Sequence, residues 1–294
     1  MENNIQNMDT HFLGVDVGGT HLKIGLVDKK GEILDFQKED TTPYRDDEHG
    51  FGPCFIKGLK KYLEKYPTVQ KVGIGLPGLI SKDRTTTLEI PAIPSLNGFN
   101  LKGELENAYP EHEFFLENDA AAAAMGEFYY GKDNPEENFI FITMGTGIGS
   151  ALLLEGQVFK GSRGNAMEMG HMLAQGTAGL ETLIGSLIGA ELGTHLLVDT
   201  AKAGNPVSLM VFEEVGRILG EAIVSTIRIL DINTVYFGGG ISAGLEFMMP
   251  KLEHTIKQYL TPYYVKNLKL RKATLENNAG TLGASALCFM GSGL

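Results

Sequence analysis

Cysteine is nearly absent from this 294-residue chain: Cys54 and Cys288 lie far apart and fit neither a metal-ligand nor a redox spacing. Both are expected to be reduced thiols, in keeping with a cytoplasmic protein. Basic residues are in the minority, 25 Lys and Arg against 36 Asp and Glu, for a net charge of -11. A general nucleic-acid binder would carry a basic footprint instead. No apolar run approaches the ~20 residues of a membrane-spanning helix. Residues 1–10 lack both the basic start and the apolar core of a secretion signal. Two familiar phosphate signatures are missing as well: no GxGxxG falls in a strand–helix–strand unit, and there is no Walker A sequence. None of these absences settles what the protein binds. Phosphate ligands stay open to it, since they need only a local site.

Glycine, by contrast, is plentiful, and two clusters of it share one design. Gly14-Val15-Asp16-Val17-Gly18-Gly19-Thr20-His21-Leu22-Lys23 and Thr143-Met144-Gly145-Thr146-Gly147-Ile148-Gly149-Ser150 each place a Gly/Thr turn between two apolar strands. Such a turn offers backbone N–H groups and a hydroxyl to an anion, because glycine lets the main chain come close. One turn is weak evidence. Two, in corresponding halves of a chain long enough for two domains, point to a duplicated fold that grips a polyphosphate from both sides.

The apolar patterning predicts strands at 12–17, 22–27, 32–37, 71–76 and 114–116 in the first half, with an amphipathic helix over 52–66 that ends before Pro67. Residues 79–100, with Pro91 and Pro94, read as a loop able to fold over a ligand. An Ala-rich helix begins at Asn118-Asp119. In the second half, paired strands at 138–154 precede helices near 181–198 and 208–230, a strand at 234–237 and a helical segment at 280–289. The expected division is a first α/β lobe over 1–117, to which residues 281–294 return, and a second over 118–280, closely apposed because no Pro- or Ser-rich linker parts them.

Seven motifs occur in an order that resembles the ROK (repressor, open reading frame, kinase) sugar kinases. They are Asp16-Val17-Gly18-Gly19-Thr20, Gly73-Ile74-Gly75-Leu76-Pro77-Gly78, Asn118-Asp119, Gly145-Thr146-Gly147-Ile148-Gly149, Glu168-Met169-Gly170-His171, Gly238-Gly239-Gly240 and Ala279-Gly280-Thr281-Leu282-Gly283. The resemblance spans nearly the whole chain. It implies a two-lobed α/β fold of the actin/hexokinase type, built from duplicated ribonuclease-H-like domains around a central cleft. It also implies transfer of the ATP γ-phosphoryl group to a hexose, glucose or an N-acetylhexosamine, usually at O6, and a homodimer.

Phosphoryl transfer needs charge neutralisation, in-line positioning and a proton acceptor. Gly18, Gly19, Thr20 and His21 are candidates for phosphate oxygens, opposed by Thr146 and Gly147, while Gly239 and Gly240 suit the adenosine side. Asp16, at the end of an apolar strand, is placed to hold Mg²⁺ through water. Asp119 opens a helix, where an acidic side chain either caps free N–H groups or, kept ionised by them, accepts a proton from a sugar hydroxyl. The resemblance assigns it the role of general base and gives sugar contacts to Gly78, Asn118, Glu168, His171 and Glu181. Glu168 and His171 stand three apart and could face one ligand on a helical turn.

Two departures stand out. Between His171 and Glu181 many ROK proteins carry cysteines that bind zinc, whereas this chain has none there. One histidine does not make a tetrahedral site, so no zinc is expected. Where glucose-type relatives often show a Pro-Asn pair, this chain has Pro91-Ala92, with Asn97 a candidate for the sugar contact. Two other readings compete. An inorganic-polyphosphate-dependent glucokinase would want a basic track that the sequence does not offer. A non-catalytic sugar-sensing ROK regulator would carry a DNA-binding domain ahead of the first strand, or would have lost Asp119 or the phosphate turns.

Overall fold

The computed structural model describes residues 11–132, 135–145, 147–176, 178–189 and 193–289. The described residues open with an antiparallel meander of β1 (His11–Val17), β2 (His21–Asp28) and β3 (Ile33–Asp40). After the short α1 (Thr42–Arg45) comes α2 (Phe51–Lys65), which turns Phe51, Phe55, Leu59, Tyr62 and Leu63 inward at helical spacing. Next is β4 (Lys71–Leu76), buried at five of its six residues as a central parallel strand must be. The segment expected as loop contains a small hairpin, β5 (Leu79–Ile80) and β6 (Thr87–Glu89). α3 (Leu101–Ala108), β7 (Glu113–Asn118) and α4 (Asp119–Tyr130) complete this half. The sheet order is β3-β2-β1-β4-β7, with β4 parallel to both β1 and β7.

The second half repeats that plan. β8 (Phe139–Met144), β9 (Ile148–Leu154) and β10 (Gln157–Val158) form an antiparallel meander. A two-residue ladder follows, β11 (Leu173–Ala174) with β12 (Ala178–Gly179), and then helices α5 (Leu180–Ile188), α6 (Gly193–Lys202) and α7 (Pro206–Leu230). β13 (Thr234–Gly238), α8 (Leu245–Tyr259), α9 (Pro262–Lys266) and β14 (Lys269–Lys272) finish the sheet in the order β10-β9-β8-β13-β14, again two antiparallel and two parallel pairings. Finally α10 (Ala279–Ala286) packs on β1, β2, β4 and α4.

Two expectations change in detail. Residues 181–198 are not one helix: α5 stops at Gly189, whose φ of 76° is the left-handed conformation that ends helices, and α6 starts at Gly193. The first compact unit reaches Pro135 and takes in Lys160–Ala166 and the segment from Asn278, while the second comprises Glu136–Phe159 and Met167–Asn277. The sequence expectation ended the first lobe at residue 117. However, α4 buries Ala120 through Ala124 and packs on β4, β7 and α10, so compactness places it with them. Gly73 on β4 shows how close α10 comes, since a Cβ there would overlap the Ala284 carbonyl. Each unit has its own core, one around Leu13, Ile74, Phe51 and Leu116, the other around Ile142, Phe212, Val235 and Leu252.

Candidate functional site

The strand pair β1–β2 ends in the first glycine turn, which Gly18 N–H closes on the His21 carbonyl at 2.9 Å. Thr41, fully buried, holds this turn from behind. Its hydroxyl donates to the Gly18 carbonyl and its backbone N–H to the Thr20 carbonyl, both at 2.9 Å. Thr20 and His21 are left exposed at the tip. Nothing in the sequence around Thr41 signals this role, because the contact is made across 23 residues.

Asp16 and Lys23 are register partners across β1 and β2, and their side chains meet, Nζ to Oδ2, at 3.2 Å. Gly280 in α10 lies directly against the same carboxylate, where a Cβ would overlap both of its oxygens or crowd them. Among the described residues no group of three or more His, Cys, Asp and Glu is gathered to hold a metal ion. A lone carboxylate is the donor set that suits Mg²⁺ carried with its waters and substrate phosphates, rather than one held in an all-protein cage.

Strand β7 delivers Asn118 and Asp119 to the start of α4. The helix cap is Asn118: its Oδ1 accepts from Ala120 N–H at 2.9 Å and Ala121 N–H at 3.2 Å, while its Nδ2 donates to the Gly78 carbonyl at 3.2 Å. Asn118 thus satisfies the orphan donors of the first turn. Asp119 is therefore the first helical residue rather than the cap, half-buried, and it accepts from Ala120 N–H at 2.8 Å. The same contacts bring Gly78 to Asn118. Beyond Gly78, the loop is stitched to itself by Asn97, whose Oδ1 accepts from Ile90 N–H at 2.7 Å. Ala92 lies against Gly19.

In the second unit, β8 and β9 flank the second turn, where Gly145 N–H donates to the Gly147 carbonyl at 2.9 Å. Thr146 lies outside the described residues. Glu181, in the first turn of α5, reaches this turn: its Oε2 accepts from Ile148 N–H at 2.6 Å, and the carboxylate lies against Gly147. Glu168 precedes a short 3₁₀ turn that His171 ends, with Glu168 Oε2 3.9 Å from His171 Nε2. Ser150 on β9 secures the approach to that turn, accepting from Met169 N–H at 3.1 Å and donating to the Met167 carbonyl. Burial raises the Glu168 carboxyl above its ordinary value; the nearby Glu181 charge adds to this and His171 opposes it. Glu168, His171 and Glu181 therefore gather around the second turn. Gly239, at φ 80°, follows β13 and packs on the Met144 backbone just ahead of that turn, and Ser242 ties back to the Gly239 carbonyl at 2.7 Å. Gly240 begins a 3₁₀ turn rather than entering a helix directly.

Chemically, the first unit presents a carboxylate at a capped helix start and a second carboxylate beside a glycine turn. The second presents a carboxylate–imidazole pair beside another. Residues 12–190 and 178–290 match the model of the ROK family. A glucokinase from Thermotoga maritima is 28% identical over 310 residues, covering 94% of this chain and 96% of that relative. Among solved structures, a candidate sugar kinase from Cytophaga hutchinsonii aligns at 36% identity over 95% of this chain and 99% of that one, with a TM-score of 0.87. A ROK family glucokinase from Streptomyces griseus in complex with glucose and AMPPNP aligns at 25% identity over 96% of this chain and 100% of that one, with a TM-score of 0.78. The fold is accordingly that of the two-lobed actin/hexokinase type.

Proposed function

The chain belongs to the ROK family, and on that footing we propose that it is a sugar kinase transferring the γ-phosphoryl group of ATP to a hexose, glucose or an N-acetylhexosamine, at O6. The observation that carries the reading is the junction of β7 and α4. With the helix capped by Asn118, the Asp119 carboxylate stands at the first helical position as a proton acceptor. In the proposed reaction Asp119 takes the proton of the sugar hydroxyl as its oxygen bonds to the γ-phosphorus. The bond from that phosphorus to the bridging oxygen breaks, and ADP leaves with the electron pair.

Asn118, Gly78, Glu168 and His171 are assigned to the sugar: an amide, a main-chain turn, a carboxylate and an imidazole offer the mixture of donors and acceptors that a polyol requires. Glu181 is assigned there with them, although its bond to Ile148 N–H also supports a role in shaping the second phosphate turn. Gly18, Gly19, Thr20 and His21, with Thr146 and Gly147, are assigned to the phosphates, and Gly239 and Gly240 to the adenosine. Asp16 is assigned to Mg²⁺, which when bound neutralises phosphate charge. The relatives described as glucokinases support the substrate class. A coupled assay of ADP release over glucose, N-acetylglucosamine, N-acetylmannosamine, mannose, fructose and allose tests the reading, with polyphosphate as a parallel donor. ADP release that depends on one hexose is the expected result.

A further inference from the structure

Glu117, next to the last residue of β7, is 1% exposed: a carboxylate withdrawn from water immediately before Asn118 and Asp119. Such a charge is tolerated only when paired and hydrogen-bonded throughout. Arg84 supplies most of this, with Nε donating to Oε2 at 2.9 Å and a terminal nitrogen 2.8 Å from Oε1, the two-pronged contact peculiar to a guanidinium. The Asn118 backbone N–H donates to Oε1 at 2.9 Å, and Lys160 Nζ stands 3.8 Å from Oε2. Burial pulls the Lys160 ammonium below the ordinary lysine value, against the attraction of Glu117.

The remaining arginine donors reach the carbonyls of Gly164 at 2.8 Å, Ser81 at 3.1 Å and Ile80 at 3.4 Å. Arg84 does this from φ 59°, a left-handed conformation that side-chain-bearing residues adopt at a cost. Stability alone is a poor reason for the arrangement, since apolar residues often replace a buried ion pair without loss. Its connectivity suggests another. Arg84 holds Glu117, Glu117 holds the Asn118 N–H, Asn118 Nδ2 holds the Gly78 carbonyl, and Gly78 leads into the hairpin whose loop carries Arg84. The ring closes on itself around the peptide that presents Asp119.

We propose that Arg84 and Glu117 are positioning residues for phosphoryl transfer, their pairing fixing the Glu117–Asn118 peptide and with it the placement of Asn118 and Asp119. This deepens the sugar-kinase reading and rests on it. Misplacing a reacting group by an ångström costs on the order of 100-fold in rate. Two variants test it. Arg84→Lys keeps the charge and loses the fork; the double variant Arg84→Gln/Glu117→Gln replaces the ion pair by a neutral amide pair. Thermal melts and steady-state ADP release with ATP and the best hexose are measured on each. The expected result is a cooperative melt with kcat down by about 10- to 100-fold while KM for ATP stays within about twofold. Folded variants with wild-type kcat would overturn the proposal. So would loss of the cooperative melt in both, which would assign the network to stability. Wild-type protein with no hexose-dependent ADP release would overturn the kinase reading itself, and the proposal with it.

Discussion

At Asp16 a single carboxylate is held on one side by Lys23 and pressed on the other by Gly280. Gly280→Ala puts a methyl group into those oxygens, so the carboxylate must turn away. The expected outcome in a Mg²⁺ titration of activity is a rise of about tenfold in the Mg²⁺ concentration required, equivalent to ~1.4 kcal/mol, with the fold retained. An unchanged titration curve would separate Asp16 from the metal. At this scale the sequence offers candidates where they sit in short motifs: Asp16 with Gly18 and Gly19, Asn118 with Asp119, Glu168 with His171. It was silent where a partner arrives from far along the chain. Thr41 behind the first turn, Arg84 on Glu117 and Glu181 on Ile148 N–H each depend on tertiary approach, and no local spacing marks them.

Among the elements, β1, β2, β4, α2 and α7 followed from their apolar periodicity, whereas α3, α8 and β14, together with the ends and interruptions of other elements, did not. The break between α5 and α6 follows from a left-handed Gly189 inside a sequence that otherwise reads as continuous helix. The seating of α10 on β4 predicts a stability effect: Gly73→Ala drives a Cβ into the Ala284 carbonyl. A loss of about 1–3 kcal/mol is expected for such overpacking, seen as a melting midpoint lowered by several degrees. An unshifted midpoint would mean that helix and strand part easily.

His112, between α3 and β7, carries a buried Nδ1 without a hydrogen-bond partner, and burial holds its imidazolium below the ordinary histidine value. The unfolded chain therefore takes up this proton at a higher pH than the folded one does. Stability from this group is intact above the unfolded value near 6.5 and declines as the pH falls below it. Melts of wild type and His112→Phe at pH 7.5 and 5.5 should show the smaller loss in the variant; equal losses would remove His112 from the acid sensitivity.

For the molecule as a whole, duplication is legible in the sequence, because the two glycine turns repeat one pattern. The sheets bear this out with the same succession of two antiparallel and two parallel pairings. The return of the C-terminal helix to the first unit was expected from the sequence, whereas the return of Lys160–Ala166 was not, because no local pattern marks a segment that comes back from so far along the chain. No helix among the described residues is long and apolar enough to cross a membrane. The second unit exposes Leu173, Val207, Met210, Ile229 and Tyr263, and on the family resemblance we propose a homodimer. Sedimentation equilibrium should return twice the chain mass of 31.9 kDa, and a single-chain mass would refute the dimer.

Asp119 as the base is tested most directly by one comparison, the hexose-dependent release of ADP by wild-type protein and by Asp119→Asn, with sugar binding measured on both. A fall in kcat of about 100- to 10,000-fold with sugar affinity retained is the predicted result. Near-normal turnover in the variant would contradict the assignment of the carboxylate at the head of α4 as the base.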